Sequence, residues 1–230
     1  MTVVLQGFEA RLLGPFTYHS VPDAGAAGAT VTTPFLGDTA LTYALHYALH
    51  GHPIPVRFGF HEQNYREDYR YFKSICSVGV PLGPVEFLPP EFVASSFMSE
   101  GYEQKNISSM DSKHRRSKVS NTPYRPWRQI QSLAPSRGTA NTFSFVAVSV
   151  ASLPGRFTAR IGLQRGCLLD VREAKQVQTC AVNRQTVEGI LGRSMTGVPY
   201  TSISAPLAQF QIHYGVAVER ARELLAPVSA

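Results

Sequence analysis

The chain has 230 residues, of which 43% are hydrophobic and 17% charged, and it carries a formal net charge of +6. That length suits one domain or one domain with a large insertion, and the composition is too apolar for a disordered chain. No run reaches the roughly 18 uncharged apolar residues of a membrane span, and Glu9 and Arg11 interrupt the apolar N-terminal stretch, so no membrane segment or signal peptide is expected and the chain is read as cytoplasmic.

Val3 to Leu13 reads as a strand, its apolar residues interrupted at Gln6, Glu9 and Arg11. A Gly- and Ala-rich loop follows from Ser20 to Thr33. The clearest helix comes next, with Leu41, Ala44, Leu45, Ala48 and Leu49 on one face, Asp38 placed as N-cap and Gly51 as the stop. Gly59 to Ser74 is rich in aromatic and charged residues, among them Tyr65, Tyr69, Tyr71 and Phe72, and is expected to be a partly helical or extended surface element. Pro81, Pro84, Pro89 and Pro90 argue against regular structure between them.

Gly101 to Gly138 has weak hydrophobic periodicity and many Ser, Asn and Pro residues, which predicts a long loop or hairpin insertion. Phe143 to Val150 is a core strand, and Arg156 to Ile161 alternates Arg and Thr with Phe, Ala and Ile, so Arg156 and Arg160 should share one wet face. Cys167 to Val171 and Val177 to Val182 read as short strands, and Val216 to Leu225 as a closing helix. No internal repeat is visible. The pattern gives an α+β class, with a ferredoxin-like or RRM-like sheet and a single domain over 1–230.

The charge is unevenly distributed. Between Gly101 and Arg137 stand Lys105, Lys113, Arg115, Arg116, Lys118, Arg125, Arg128 and Arg137 against only Glu103 and Asp111. That surplus of six equals the net charge of the whole chain, so the remainder is neutral. A cationic stretch on a neutral body suits a polyanion, because phosphates release condensed counterions when such a segment binds.

Within that stretch Tyr124, Arg125, Trp127 and Arg128 interleave rings, guanidiniums and prolines. Bases stack on such rings while arginines hold phosphates; the plainer reading is that Tyr124 and Trp127 pin the insertion to the core. Asp111 to Lys118 is the densest cationic run, with His114 inside it, and a solvated surface is its plainer reading. His46 and His50 stand at i and i+4 near His52, yet no HExxH accompanies them, so a polar helix edge is favoured over a metal site. Cys76, Cys167 and Cys180 form no CxxC pair and read as reduced, buried thiols. No cofactor is expected. A GxSxG, a Walker loop and a paired-carboxylate motif are all missing; His19 with Tyr18, or His114 beside Lys113 and Arg115, are the positions for metal-independent cleavage of RNA.

Several short motifs in order carry a family likeness: Pro34-Phe35-Leu36-Gly37-Asp38 leading into Tyr43-Ala44-Leu45, a Pro/Arg insertion before Phe143-Ser144-Phe145, and Arg160-Ile161-Gly162 at the end of a late strand. In these the chain resembles the CRISPR-associated Cas-five family of the RAMP superfamily, in particular the version in type I-D Cascade. The resemblance implies a ferredoxin-like RAMP domain that binds the 5′ handle of the CRISPR RNA without cutting it. It also implies neighbours, a Cas-seven-type backbone subunit and the large subunit, with target DNA near the protospacer-adjacent motif left open as a further contact. The family's thumb-like insertion maps to Gly101–Gly138, and its late glycine-bearing turn places Arg160, Gly162, Arg165 and Gly166 near the RNA backbone. A long glycine-rich C-terminal loop is missing here. Two other functions stay open: an endoribonuclease that processes precursor CRISPR RNA, and a general or ribosome-associated RNA-binding protein.

Overall fold

The computed structural model describes residues 3–17, 29–50, 65–94, 127–162, 166–198 and 211–227. Its strands are β1 (Val4–Leu12), β2 (Ala29–Val31), β3 (Ser74–Cys76), β4 (Val80–Pro81), β5 (Glu91–Ala94), β6 (Trp127–Gln131), β7 (Thr142–Ser149), β8 (Arg156–Ile161), β9 (Cys167–Glu173), β10 (Thr179–Asn183) and β11 (Ile212–Ala217). The helices are α1 (Asp38–His50), the single turn α2 (Tyr65–Asp68) and α3 (Val218–Leu225), with a π-helical turn over Gln185–Ile190. The chain is thus mixed α and β, built mostly on antiparallel sheet.

The main sheet runs β3-β7-β1-β9-β8, with β4 also beside β7, and every pair is antiparallel. The unbroken apolar run of β7 follows from burial on both faces. Phe143, Phe145 and Ala147 pack with Leu41, Ala44 and Leu45 of α1, whereas Val146 and Val148 pack with Ala221, Leu224 and Leu225 of α3. Gln6, buried in β1, holds the crossing from β7 to β8. Its Nε2 donates to the Leu153 carbonyl at 3.2 Å, and its Oε1 accepts from the Leu153 N–H at 2.6 Å.

The second layer is the antiparallel β10–β11 pair, the π-helical turn and α3. It covers the β3 and β7 side of the main sheet, and Val177 marks its border: a Cβ at Gly7 would lie 2.4 Å from the Val177 side chain. Past that border one face of β8, β9 and the C-terminal half of β1 stays open, with Glu9, Arg156, Thr158, Arg160, Leu168 and Arg172 exposed.

A third sheet, β2-β6-β5, sits at one end of the first. β6 runs parallel to β2 and antiparallel to β5, and Leu133 just after it is fully buried, bridged to both Phe16 and Phe87.

Some elements differ from the sequence reading. Tyr69 and Phe72 are 1% and 2% exposed, so the described part of the 59–74 stretch, which holds the helical turn α2 and keeps Tyr65 and Tyr71 exposed, also plugs two rings into the core. Their rings meet each other at 5.1 Å, and Phe72 also meets Tyr43 at 4.9 Å, which closes the core beside β3. Asp38 lies in the first turn of α1 and not at its cap, since the Leu41 N–H donates to the Gly37 carbonyl. Val216 and Ala217 belong to β11, and the last helix begins at Val218. β2 and β6 lie in stretches that read as loop.

Candidate nucleic-acid interface

Two features of the fold make up the candidate interface. The first is where the basic segment departs. Ala94 and Trp127 are register partners at the ends of β5 and β6, so the chain enters and leaves residues 95–126 about one strand spacing, roughly 5 Å, apart. The stem of the segment is therefore an antiparallel pair within a small sheet.

That stem is fixed to the body by specific bonds. Asn141, buried and held at φ 50, donates through Nδ2 to the carbonyls of Glu86 at 2.7 Å and Ala134 at 2.8 Å, and its Oδ1 accepts from the Glu86 N–H at 3.0 Å. Leu12 and Ser136 exchange two bonds, the Leu12 N–H to Ser136 Oγ at 2.7 Å and the Ser136 N–H to the Leu12 carbonyl at 2.9 Å. Thr17 and Ser132 share a hydroxyl hydrogen bond of 2.6 Å.

The second feature is the open face of the main sheet. The register aligns Arg156, Arg172, Glu9 and Ser144 in one row and Thr158, Asp170, Arg11 and Thr142 in the next, followed by Arg160 and Leu168. Four arginines face two carboxylates there. Asp170 gathers two of them: Arg172 donates through Nε at 2.9 Å and Nη2 at 2.6 Å, and Arg156 through Nε at 3.1 Å. The hydrogen bonds from Arg172, with the added pull of Arg156, hold the Asp170 carboxyl below its ordinary range. Among the described residues this face carries no aromatic ring. Beside it lies a shallow depression of about 370 Å³ lined by Ser144, Gln176, Val177, Gln178 and Thr179.

The two features meet at one end of the sheet. The pairs Arg11–Thr142, Leu12–Leu169 and Ile161–Cys167 bring the C-terminal ends of β1 and β8 beside the start of β7 and β9. Gly162, at φ 86, follows β8 there, and a Cβ on it would lie 3.0 Å from the Thr17 carbonyl oxygen. Thr17 in turn bonds Ser132 at the foot of the stem.

The residues expected to grip RNA are distributed unevenly over this geometry. Arg160 lies exposed on β8, and Arg137 is exposed in the turn that precedes β7. Trp127 and Arg128 belong to β6, where the backbone pairs with β5 and β2. Lys105, Lys113, His114, Arg115, Arg116, Lys118, Tyr124, Arg125 and Arg165 lie outside the described residues, as do Tyr18, His19 and His52. Sequence reasoning missed Arg11, Asp170 and Arg172. Arg11 was visible only as a break in the apolar pattern of β1, and its place beside Asp170 depends on a pairing across 159 residues of chain.

Cys76, Cys167 and Cys180 are free and buried, and burial raises all three thiols, Cys180 to about 12. His46 and His50 lie with ring centroids 5.5 Å apart, and among the described residues no group of three or more His, Cys, Asp or Glu side chains is placed to hold a metal ion. No described helix is long and apolar enough to cross a membrane. In comparison with known proteins the sequence matches no family model and no curated relative.

Proposed function

We propose that the chain is a non-catalytic subunit of a type I-D-like CRISPR effector complex that holds the 5′ handle of the guide RNA. The observation that carries this reading is the basic segment itself. Six cations against three carboxylates, Glu100, Glu103 and Asp111, sit in residues 95–126, hung from the adjacent strands β5 and β6, and Arg128 on β6 and the exposed Arg137 beyond it complete the surplus of the basic segment, with the exposed Arg160 at the same end of the main sheet as Arg137. The sheet order β3-β7-β1-β9, with α1 between β1 and β3, supports a ferredoxin-like RAMP unit in which β8 occupies the connection where a second helix would cross. A Cas-seven-type backbone subunit, the large subunit and target DNA near the protospacer-adjacent motif are its partners in this reading.

Binding of a labelled CRISPR-repeat RNA across a salt series tests it. The expected result is an affinity that falls steeply with salt and is lost when Lys113, Arg115, Arg116 and Lys118 are all changed to Glu. An affinity independent of salt, or no preference for the repeat over random RNA, overturns it. Incubation with precursor RNA in EDTA tests the same reading from the other side, since a 2′,3′-cyclic phosphate product would make the protein an endoribonuclease.

A further inference from the structure

Arg156 and Arg172 are direct register partners on β8 and β9. Like charges placed directly opposite each other across strands destabilise the pair. Here Asp170 bonds both guanidiniums and, with Glu9, the register partner of Arg172 on β1, offsets two of the four arginines on this face. Asp170 is largely covered, with its side chain 9% exposed, while Arg156 and Arg172 are 68% and 51% exposed. The acid therefore lies beneath and the guanidiniums above.

The hydrogen-bond ledger of the two arginines is incomplete. Among the described residues Arg172 uses Nε and Nη2 on Asp170 and Arg156 uses only Nε, so neither terminal nitrogen of Arg156, whose side chain is 68% exposed, has a bond there. A guanidinium whose Nε is held this way has lost much of its rotamer freedom before any ligand arrives, which lowers the entropic cost of binding. Planar donor forks of this kind match the oxygens of a phosphate. Glu9 follows Arg172 in the same row and Ser144 follows Glu9, which leads to the polar depression lined by Gln176, Gln178 and Thr179.

We propose that Arg156 and Arg172, set by Asp170, form a phosphate seat for one phosphodiester of a single-stranded polynucleotide on the open face of the main sheet. The residues of the seat lie outside the basic segment in the sequence, and its ligand class rests on the RNA-binding reading above. The described face has no ring for a base to stack on, so the seat reads backbone and not sequence. Asp170 is a positioning residue: it orients the two arginines and does not itself meet the phosphate.

The test uses the full chain with fluorescently labelled single-stranded RNAs of several sequences over a salt series. Arg156→Gln with Arg172→Gln is expected to weaken binding by about tenfold for every sequence alike and to make the logarithmic salt slope shallower by about 0.7, the value for one lost contact on a single strand. Arg156→Gln alone, at the more exposed position, is expected to show part of both effects with an unchanged melting temperature. Wild-type affinity and slope in the folded double variant overturn the seat while leaving the basic segment's role intact. A loss confined to one RNA sequence also overturns it. If the Glu variant of the basic segment binds normally and the double Gln variant does not, the seat stands and the reading of the segment falls. Binding of an acidic peptide but of no RNA overturns both.

Discussion

Asn183 donates from Nδ2 to Asp38 Oδ1 at 3.3 Å, joining the end of β10 to the first turn of α1 across 145 residues of chain. Asp38 is buried, its Oδ2 has no hydrogen-bond partner among the described residues, and no cation is paired with it there. Burial is the largest influence on this carboxyl and raises its pKa, while Thr186 and Asn183 pull it down. The folded form thus favours the protonated acid. Its contribution is fully present below the ordinary carboxylate range and is lost as pH rises through the raised folded value. Asp38→Asn is expected to flatten that part of the stability profile and to raise the melting temperature at neutral pH. Asp38→Ala, which strands Asn183, should cost about 1–3 kcal/mol. Denaturant melts of the three proteins from acid to neutral pH check this, and parallel profiles for wild type and Asp38→Asn would count against it.

Asn141 fixes the foot of the basic segment through three bonds to Glu86 and Ala134 while in a left-handed backbone conformation. Asn tolerates that conformation better than most residues; Ala would strain it and leave the Glu86 N–H and the Ala134 carbonyl without their side-chain partner, while the Glu86 carbonyl keeps the Ala134 N–H. Asn141→Ala is expected to destabilise by about 2–4 kcal/mol. Net charge is unchanged, so a weaker RNA affinity with an unaltered salt slope would report lost placement of the stem and not lost cations. Hydrogen exchange at the β5 and β6 amides is the direct measurement, and full protection in the variant would refute the role.

The contrast between Asn141 and Phe143 shows what was legible in the sequence. β7 could be read because burial on both faces leaves a run of apolar residues, and β8 because one wet face imposes a period of two. α1 carried its helical stripe openly at Leu41, Ala44 and Leu45, whereas Ala48 is exposed and Thr42 and His46 are buried in its place. The third sheet could not be read: β2, β5 and β6 are three to five residues long, and Gln129 and Gln131 in β6 dilute any alternation. Tyr69 and Phe72 were hidden by the charged residues around them, although their spacing of three along a helical turn was a usable signal. The shared orientation of Arg156 and Arg160 followed from strand period, whereas the meeting of Arg156 with Arg172 and Asp170 needed the register of the β8–β9 pair, which no local pattern encodes.

Asp170 gives a pH dependence of the opposite sign to that of Asp38. Its hydrogen bonds from Arg172 and Arg156 depress the folded pKa, so the stabilisation is present above the ordinary carboxylate range and is lost as pH falls through the folded value. Asp170→Asn removes the compensating charge and leaves Arg156 and Arg172 facing each other. It is expected to be less stable than wild type at neutral pH and to converge with it in strong acid. Inorganic phosphate should restore more stability to Asp170→Asn than to wild type, because the anion replaces the missing carboxylate between the two guanidiniums. Thermal melts with and without phosphate at constant ionic strength decide it, and equal gains in the two proteins would show that the arginines do not act together.

Gly162 lies between the open face of the main sheet and the foot of the β5–β6 stem. At φ 86 it occupies backbone space that other residues enter only under strain, and a Cβ there would lie 3.0 Å from the Thr17 carbonyl oxygen and 3.1 Å from the Phe16 ring. Neither neighbour can easily yield: Phe16 is fully buried and exchanges backbone hydrogen bonds with Leu133, and Thr17 bonds Ser132. Gly162→Ala is therefore expected to cost about 1–3 kcal/mol, and Gly162→Val more. Because the clash falls between the end of β8 and the foot of the stem, the strain should also shift Arg160 relative to the basic segment. The variant should lose RNA affinity by more than its loss of stability explains at a temperature where it remains folded. Equilibrium denaturation paired with binding at low temperature separates the two effects, and an affinity equal to wild type in the folded variant would show that the turn and the stem bind independently.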